Sequence, residues 1–170
     1  MDLASMIRDV PDFPVDGILF KDITTLLTDA AAFRTAIDRL VERFGDREID
    51  IVAAIESRGF IFGAPMAYQL NAGFVPVRKP NKLPADKIAR EYALEYGTNV
   101  LEVHVDAVKP GQKVLLVDDL LATGGSARAS VELIEQLGGV VVGLAFLIDL
   151  TFLEGVKKLQ GYDVFSLIQF

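Results

Sequence analysis

Val114-Leu115-Leu116-Val117-Asp118-Asp119-Leu120-Leu121-Ala122-Thr123-Gly124-Gly125-Ser126-Ala127 is the stretch that decides the fold. Its first four residues form an uninterrupted apolar run, as in a strand covered on both faces, and two adjacent carboxylates end it. A loop of small residues follows and opens a helix. Ligands of open α/β sheets bind beyond the carboxyl ends of the strands, so this run lies at the edge where a site forms. Thr123 to Ser126 can wrap backbone N–H groups and two hydroxyls around a phosphate, and the helix's first turn adds unpaired N–H groups. Gly124 and Gly125 permit close backbone approach and positive φ. Asp118 and Asp119 would repel a phosphate, but a little further along they can accept hydrogen bonds from sugar hydroxyls or metal-bound water. An acidic pair at a strand end also serves as a helix cap, phospho-acceptor or metal site, and Thr-Gly-Gly alone is often only a turn. Their order and spacing together describe a ribose 5-phosphate site.

Working outward, short apolar runs alternate with helical patterns, which reads as an α/β domain with a mainly parallel five-stranded sheet flanked by helices. The strands are expected at Ile51–Ile55, Phe74–Val77, Val114–Val117, Val140–Ile148 and Val164–Ile168. Phe33, Ile37, Leu40, Val41 and Phe44 recur at helical spacing before a stop at Gly45. Ala127, Val131, Ile134 and Leu137 mark a second stripe, ended by Gly138–Gly139. A third helix covers Ile61–Leu70, where Pro65 fits only a first turn, and a fourth runs from about Phe152 to Leu159. Residues 10–28, with Pro11, Pro14 and Gly17, read as an irregular cap over the sheet. Residues 78–104 form a long excursion in which Tyr92–Tyr96 and Val100–Val105 pair as a hairpin across Gly97–Thr98–Asn99.

The 170 residues fit one domain, 1–170, with a single sizeable core. The longest apolar run, the nine residues Val140–Ile148, is too short to span a bilayer, and no secretory pattern opens the chain. A cytoplasmic protein without membrane contact is expected. With no cysteine there are no disulfides and no thiolate chemistry. A net charge of −7 argues against a nucleic-acid surface. Locally, Arg78, Lys79, Lys82, Lys87 and Arg90 face only Asp86, giving +4 over that stretch and pointing either to a small anionic ligand or to a solvated loop. No Gly-x-Gly, Gly-Lys or Gly-x-Ser-x-Gly occurs, which removes the dinucleotide, Walker and nucleophile-elbow readings. His104, the only histidine, reads as structural or surface.

The Val114–Ala127 run resembles the PRPP-binding motif of type I phosphoribosyltransferases. The resemblance implies that Asp118 and Asp119 bind the ribose hydroxyls and that Ala122, Thr123, Gly124, Gly125 and Ser126 hold the 5′-phosphate. Ile55-Glu56-Ser57-Arg58-Gly59-Phe60 looks like the pyrophosphate loop of the adenine-using members, with Glu56, Ser57 and Arg58 as contacts and Arg78, Lys79 and Lys82 joining from the basic stretch. Asp12-Phe13-Pro14 and Gly17–Thr24 resemble the same branch's amino-terminal hood (about 10–28), where Phe20 stacks on the base and backbone near Leu19 and Lys21 reads its edge. Tyr92-Ala93-Leu94-Glu95-Tyr96-Gly97 looks like its catalytic flap, within the 78–104 segment, with Tyr96 contributing to the flap and Glu95 placed to accept a proton from the attacking purine.

The resemblance spans about Asp12 to Phe165 and implies transfer of 5-phosphoribosyl from PRPP to adenine, giving AMP and pyrophosphate. It further implies Arg58 and Glu95 as the catalytic groups, Mg²⁺ held mainly through the pyrophosphate with no direct protein ligand, and a homodimer. Two alternatives stay open: an enzyme of the same fold using hypoxanthine or guanine, and a non-catalytic PRPP-sensing regulator. Against the latter stand the acidic charge and the lack of a spare segment for DNA.

Overall fold

In the computed structural model, which describes residues 1–94 and 96–170, the chain runs β1 (Arg8–Pro11), β2 (Leu19–Asp22), α1 (Thr24–Thr28), α2 (Ala30–Phe44), β3 (Ile51–Ile55), α3 (Arg58–Gln69) and β4 (Gly73–Val77). It continues with β5 (Lys87–Ala93), β6 (Thr98–His104), β7 (Lys113–Leu121), α4 (Gly125–Gln136), β8 (Val140–Asp149) and β9 (Val164–Gln169). Strands β4, β3, β7, β8 and β9 pair in that order as one five-stranded parallel sheet. The five apolar runs are thus the five sheet strands.

Alternation along each strand sends side chains to two cores. Val52 and Ala54 of β3, Leu115 and Val117 of β7 and Leu147 of β8 pack with Leu40, Phe44, Phe62 and Met66 of α2 and α3. On the opposite face, Ala53, Leu116 and Phe146 pack with Val131 and Ile134 of α4 and with Leu101 and Val103 of β6. Each such fully buried Leu or Phe contributes roughly 1.5–3 kcal/mol of transfer free energy. Asp29 caps α2 by accepting from Ala32 N at 2.8 Å. At the other end of α2, Arg43 bridges both carboxylate oxygens of Asp163 (2.9 and 3.0 Å), and Arg47 joins the same carboxylate, clipping the helix to the start of β9.

Several expectations need correction. Strand β7 does not stop at Val117 but continues to Leu121, because β8 stays paired with it through Leu121↔Asp149. Residues 10–28 are not wholly irregular: β1 and β2 form an antiparallel hairpin and α1 follows. The 78–104 hairpin is longer and starts earlier, with Tyr92 opposite Asn99 and Ala93 opposite Thr98, so Lys87 and Arg90 belong to a strand rather than a loop. Helix α3 begins at Arg58, which leaves Pro65 well past its first turn. The helix tolerates the lost N–H because Phe62, Gly63 and Met66 are buried against the sheet. Gly45 follows α2 in a right-handed conformation, not the left-handed one of a glycine stop. The expected helix at 152–159 is instead two 3-10 turns, Thr151–Leu153 and Gly155–Leu159, broken at Glu154, whose φ is 53°. Gly155 presses its backbone on the 122–124 loop: a Cβ there would lie 2.5 Å from the Ala122 carbonyl oxygen.

Helix α3 lies tight on the sheet at Gly63, where an added Cβ would stand 2.6 Å from Ala54 Cβ on β3. Gly63→Ala should therefore cost about 1–3 kcal/mol, the usual range for overpacking, read as a lower urea midpoint. An unchanged midpoint would mean that α3 can back away from β3 freely.

Candidate functional site

The site forms because β7 overshoots its neighbour. β3 pairs with β7 only as far as Ala54↔Val117 and then turns at Glu56–Ser57 into α3, whereas β8 follows β7 to its end. One side of Asp118–Leu121 is thereby open. There a cavity of about 280 Å³ is bounded by Glu56, Ser57, Arg58 and Lys79 on one side and by Asp118, Asp119, Ala122 and Ser126 on the other. Ile55, Leu101, Leu120 and Tyr92 complete its wall.

Asp118 and Asp119 are both buried. Asp118 Oδ1 accepts the Asp119 N–H at 2.8 Å, and Asp119 Oδ2 accepts from Arg58 Nε at 2.5 Å. Helix α3 starts directly beside them: a Cβ on Gly59 would be 3.0 Å from Asp118 Oδ1 and 3.1 Å from the Val117 carbonyl, so glycine allows this approach without displacing either. Burial, and then the neighbouring Asp119 carboxylate, push the Asp118 carboxyl well above its ordinary value. Burial works against the Arg58 charge, but the two carboxylates outweigh it and its pKa is raised. The pair is thus a buried acidic site with one guanidinium across it, suited to ligands that donate hydrogen bonds.

The loop after β7 has the geometry its composition suggests. Gly124 adopts φ +87°, and a Cβ there would stand 2.5 Å from the Gly155 carbonyl oxygen, which no other residue would allow. Gly125 and Ser126 open α4, whose first turn presents free N–H groups at the cavity rim. Ala122 and Ser126 line the cavity, Thr123 is exposed beside it, and Gly125 faces an adjoining groove.

A second cavity, of about 130 Å³, lies under the β1–β2 hairpin. Leu19, Phe20 and Lys21 border it, with Ile18, Ile23, Ile148 and Leu150 supplying apolar walls. Arg58, Asp119 and Leu120 border both cavities, so the two spaces meet there. Phe20 is held edge-on by Phe13, with ring centroids 5.1 Å apart, and the Arg58 guanidinium lies 5.9 Å from its ring. Among the described residues strand β2 pairs only with β1, which leaves its other backbone edge without a strand partner there. The Lys21 ammonium turns elsewhere, to Asp9 Oδ1 at 2.6 Å and over the Phe170 ring.

Not all expected residues converge. Arg78 does not line the cavity: its Nε donates to Glu56 Oε1 at 3.1 Å, and its guanidinium lies over Phe60. Glu56 Oε1 also accepts from Lys79 N at 2.8 Å, so Glu56 ties the end of β4 to the end of β3. Lys82 is exposed outside both cavities, as is Tyr96, which is 88% accessible. Glu95 lies outside the described residues. His104 accepts from Ala85 N at 3.3 Å, a structural contact.

Sequence reading passed over Tyr92, Leu120 and Leu150. Leu120 lies inside the decisive motif, and Leu150 follows β8 at the same sheet edge, so the strand-end rule could have found it. Tyr92 sits in the flap motif, two residues along the strand from the β5 cation Arg90.

With this geometry established, similarity to known proteins is informative. Residues 22–169 match the family model described as the phosphoribosyl transferase domain. The chain is 57% identical to the adenine phosphoribosyltransferase of Halothermothrix orenii, covering 99% of both chains. The crystal structure of the Thermoanaerobacter pseudethanolicus adenine phosphoribosyltransferase superposes with a TM-score of 0.97 at 58% identity, covering 99% of this chain and 98% of that one. The Saccharomyces cerevisiae enzyme, crystallised with an imino-altritol bisphosphate and adenine, gives a TM-score of 0.91 at 40% identity, covering 98% and 96%.

The Asp118 carboxylate is costly to the fold, and an isosteric amide tests this. Asn at 118 keeps an oxygen for the Asp119 N–H and carries no charge. A carboxyl whose folded pKa is raised loses stability as pH climbs from its unfolded value, about 4, through the folded one. Asp118→Asn should therefore gain over the parent as pH rises above about 4, reaching about 2–4 °C in melting temperature if the gain is about 1 kcal/mol. A variant that melts lower at neutral pH would contradict the burial argument.

Proposed function

The chain belongs to the phosphoribosyltransferase family, among its adenine phosphoribosyltransferases, and from that premise we propose that it transfers the 5-phosphoribosyl group of PRPP to adenine, giving AMP and pyrophosphate in purine salvage. One observation carries the assignment of its parts: a polar cavity at the acidic pair and an apolar slot under the hood meet at Arg58, Asp119 and Leu120. A displacement at ribose C1 needs such a junction, with the leaving group on one side and the flat base on the other.

In this reading Ala122–Ser126 and the first turn of α4 hold the 5′-phosphate, and Asp118 and Asp119 accept hydrogen bonds from the ribose hydroxyls. Glu56 fixes the turn that presents Ser57, Arg58 and Lys79 to the pyrophosphate. Adenine enters the apolar slot between Phe20 and Leu150, and the free backbone edge of β2 near Leu19 and Lys21 reads its polar rim. As the C1–O bond to pyrophosphate breaks, the N9–C1 bond forms from the opposite face and C1 passes through oxocarbenium character. Arg58 offers preorganised positive charge to the departing pyrophosphate. The N9 proton goes to Glu95, assigned from its motif. The hairpin tip carrying Tyr96 closes over the centre and keeps water from the activated ribose.

The donor set suits Mg²⁺ carried by the substrate. Among the described residues no cluster of three or more acidic, histidine or cysteine side chains could hold a metal, and Asp119 is already engaged by Arg58. Mg²⁺ keeps several of its waters, so the pyrophosphate would hold the ion and the two carboxylates would accept hydrogen bonds from its water. When bound, the ion neutralises charge on the pyrophosphate.

The reading treats the chain as one phosphoribosyltransferase domain that pairs as a homodimer. The exposed Lys82, outside its own cavity, is the residue of the basic stretch that this reading assigns to the subunit interface. A cytoplasmic setting goes with it, since polyanionic substrates do not cross bilayers unaided.

The test offers PRPP and Mg²⁺ with adenine, hypoxanthine, guanine and orotate separately, on a preparation sedimenting at twice the chain mass. AMP should form from adenine, with the other bases giving nothing comparable. IMP or GMP as the main product would discard the base assignment, and PRPP binding without any product would favour a sensor.

A further inference from the structure

The β5–β6 hairpin brings Leu101 of β6 and Tyr92 of β5 to the wall of the ribose-phosphate cavity, and the aromatic ring there is that of Tyr92 rather than Tyr96. Its ring forms part of the wall shared with Asp118, Ala122 and Ser126. The ring's other side borders a groove of about 240 Å³ that includes Gly125 and Arg128. The ring is therefore a partition between the cavity and that groove. It rests directly on the phosphate loop: a Cβ on Gly125 would lie 3.1 Å from Tyr92 Cδ2 and 3.4 Å from the Ala93 carbonyl oxygen. Gly125 has an ordinary negative φ, so the demand for glycine there comes from the hairpin pressing on it.

The register and an ion-pair bridge hold this seat. Tyr92 stands opposite Asn99 in the β5–β6 pair, so the strand pairing fixes where its ring leaves the hairpin. Glu132 on α4 pairs with Arg90 of β5 at 3.4 Å and with Arg128 of its own helix at 3.0 Å, so the base of the hairpin is tied to the helix that begins at the loop. The hairpin and the phosphate loop are one packed unit, and Tyr92 is where the two meet at the cavity.

We propose that Tyr92 is a binding and positioning residue for PRPP, closing the hairpin side of the ribose-phosphate cavity with its ring and seating the hairpin on Gly125. The proposal rests on the PRPP reading of that cavity. A flat ring at this place excludes water from the ribose face without contributing charge, and its work is done by shape rather than by the hydroxyl. It borders the cavity at the acidic pair and not the apolar slot, so its loss bears on PRPP and spares the base.

The experiment is steady-state kinetics with each substrate varied, beside calorimetric PRPP binding without base, on wild type, Tyr92→Phe, Tyr92→Ala, Gly125→Ala and the Tyr92→Ala/Gly125→Ala pair. Tyr92→Phe should keep the PRPP KM within about twofold, while Tyr92→Ala raises it about tenfold with the adenine KM within about twofold. Gly125→Ala, which pushes the ring off its seat, should show the same PRPP-selective defect. Because both changes disturb one contact, the double variant should be less impaired than the product of the single effects. Equal rises in both KM values, an unaffected Tyr92→Ala, or multiplicative effects would overturn the proposal. Should Tyr92→Ala fail to fold, Tyr92→Leu keeps bulk on Gly125 and is read by the same KM split. Wild type that binds PRPP but forms no AMP would strike the transferase reading instead, leaving the variants' PRPP affinities to decide the role of Tyr92.

Discussion

Past Val117 the central strand has a hydrogen-bonded neighbour on one side only, and the site depends on that asymmetry. Pairing with β8 keeps Asp118–Leu121 extended and rigid, while the departure of β3 uncovers their other side. A symmetric sheet would bury the two carboxylates against another strand, where they would ionise only at great cost. Here they are desolvated by the sheet beneath them and still face a cavity. The turn of β3 into α3 fills the uncovered side with the start of a helix and Arg58, so the same departure supplies the counter-charge.

Close backbone contact then converts this edge into a binding surface. Gly59 lets α3 start against Asp118, and Gly124, left-handed and packed on Gly155, curls the chain back so that α4 opens at the rim. Gly124 has no room for a side chain, and at Gly59 one fits only if its neighbours give way. The fold gives up stability there, and what it gains is a set of donors and acceptors that need little rearrangement when a ligand arrives, which is how electrostatic preorganisation lowers a barrier.

Much of this was legible in the sequence because it is local. Five apolar runs stood out as strands because helices and the hairpin cover both faces of the sheet. The Asp118–Ser126 segment combines strand end, acids and loop in one contiguous stretch. What stayed hidden depends on contacts between distant segments. Leu150 reaches the apolar slot only because β8 lies beside β7, and Tyr92 reaches the cavity only through the register of the hairpin. Arg78, expected at the pyrophosphate, is held by Glu56, 22 residues away. The helix expected at 152–159 breaks because Gly155 must fit against the phosphate loop, a demand that no local periodicity records. Pro65 misled for the opposite reason: burial of α3 outweighs a local rule.

The central claim is that one ligand bridges the loop after β7 and the hood under β2. Amide hydrogen exchange with and without saturating AMP tests it most directly. The account predicts slowed exchange in residues 122–127 and, in the same complex, in residues 18–23. Protection in only one of these segments, or in neither, would contradict it.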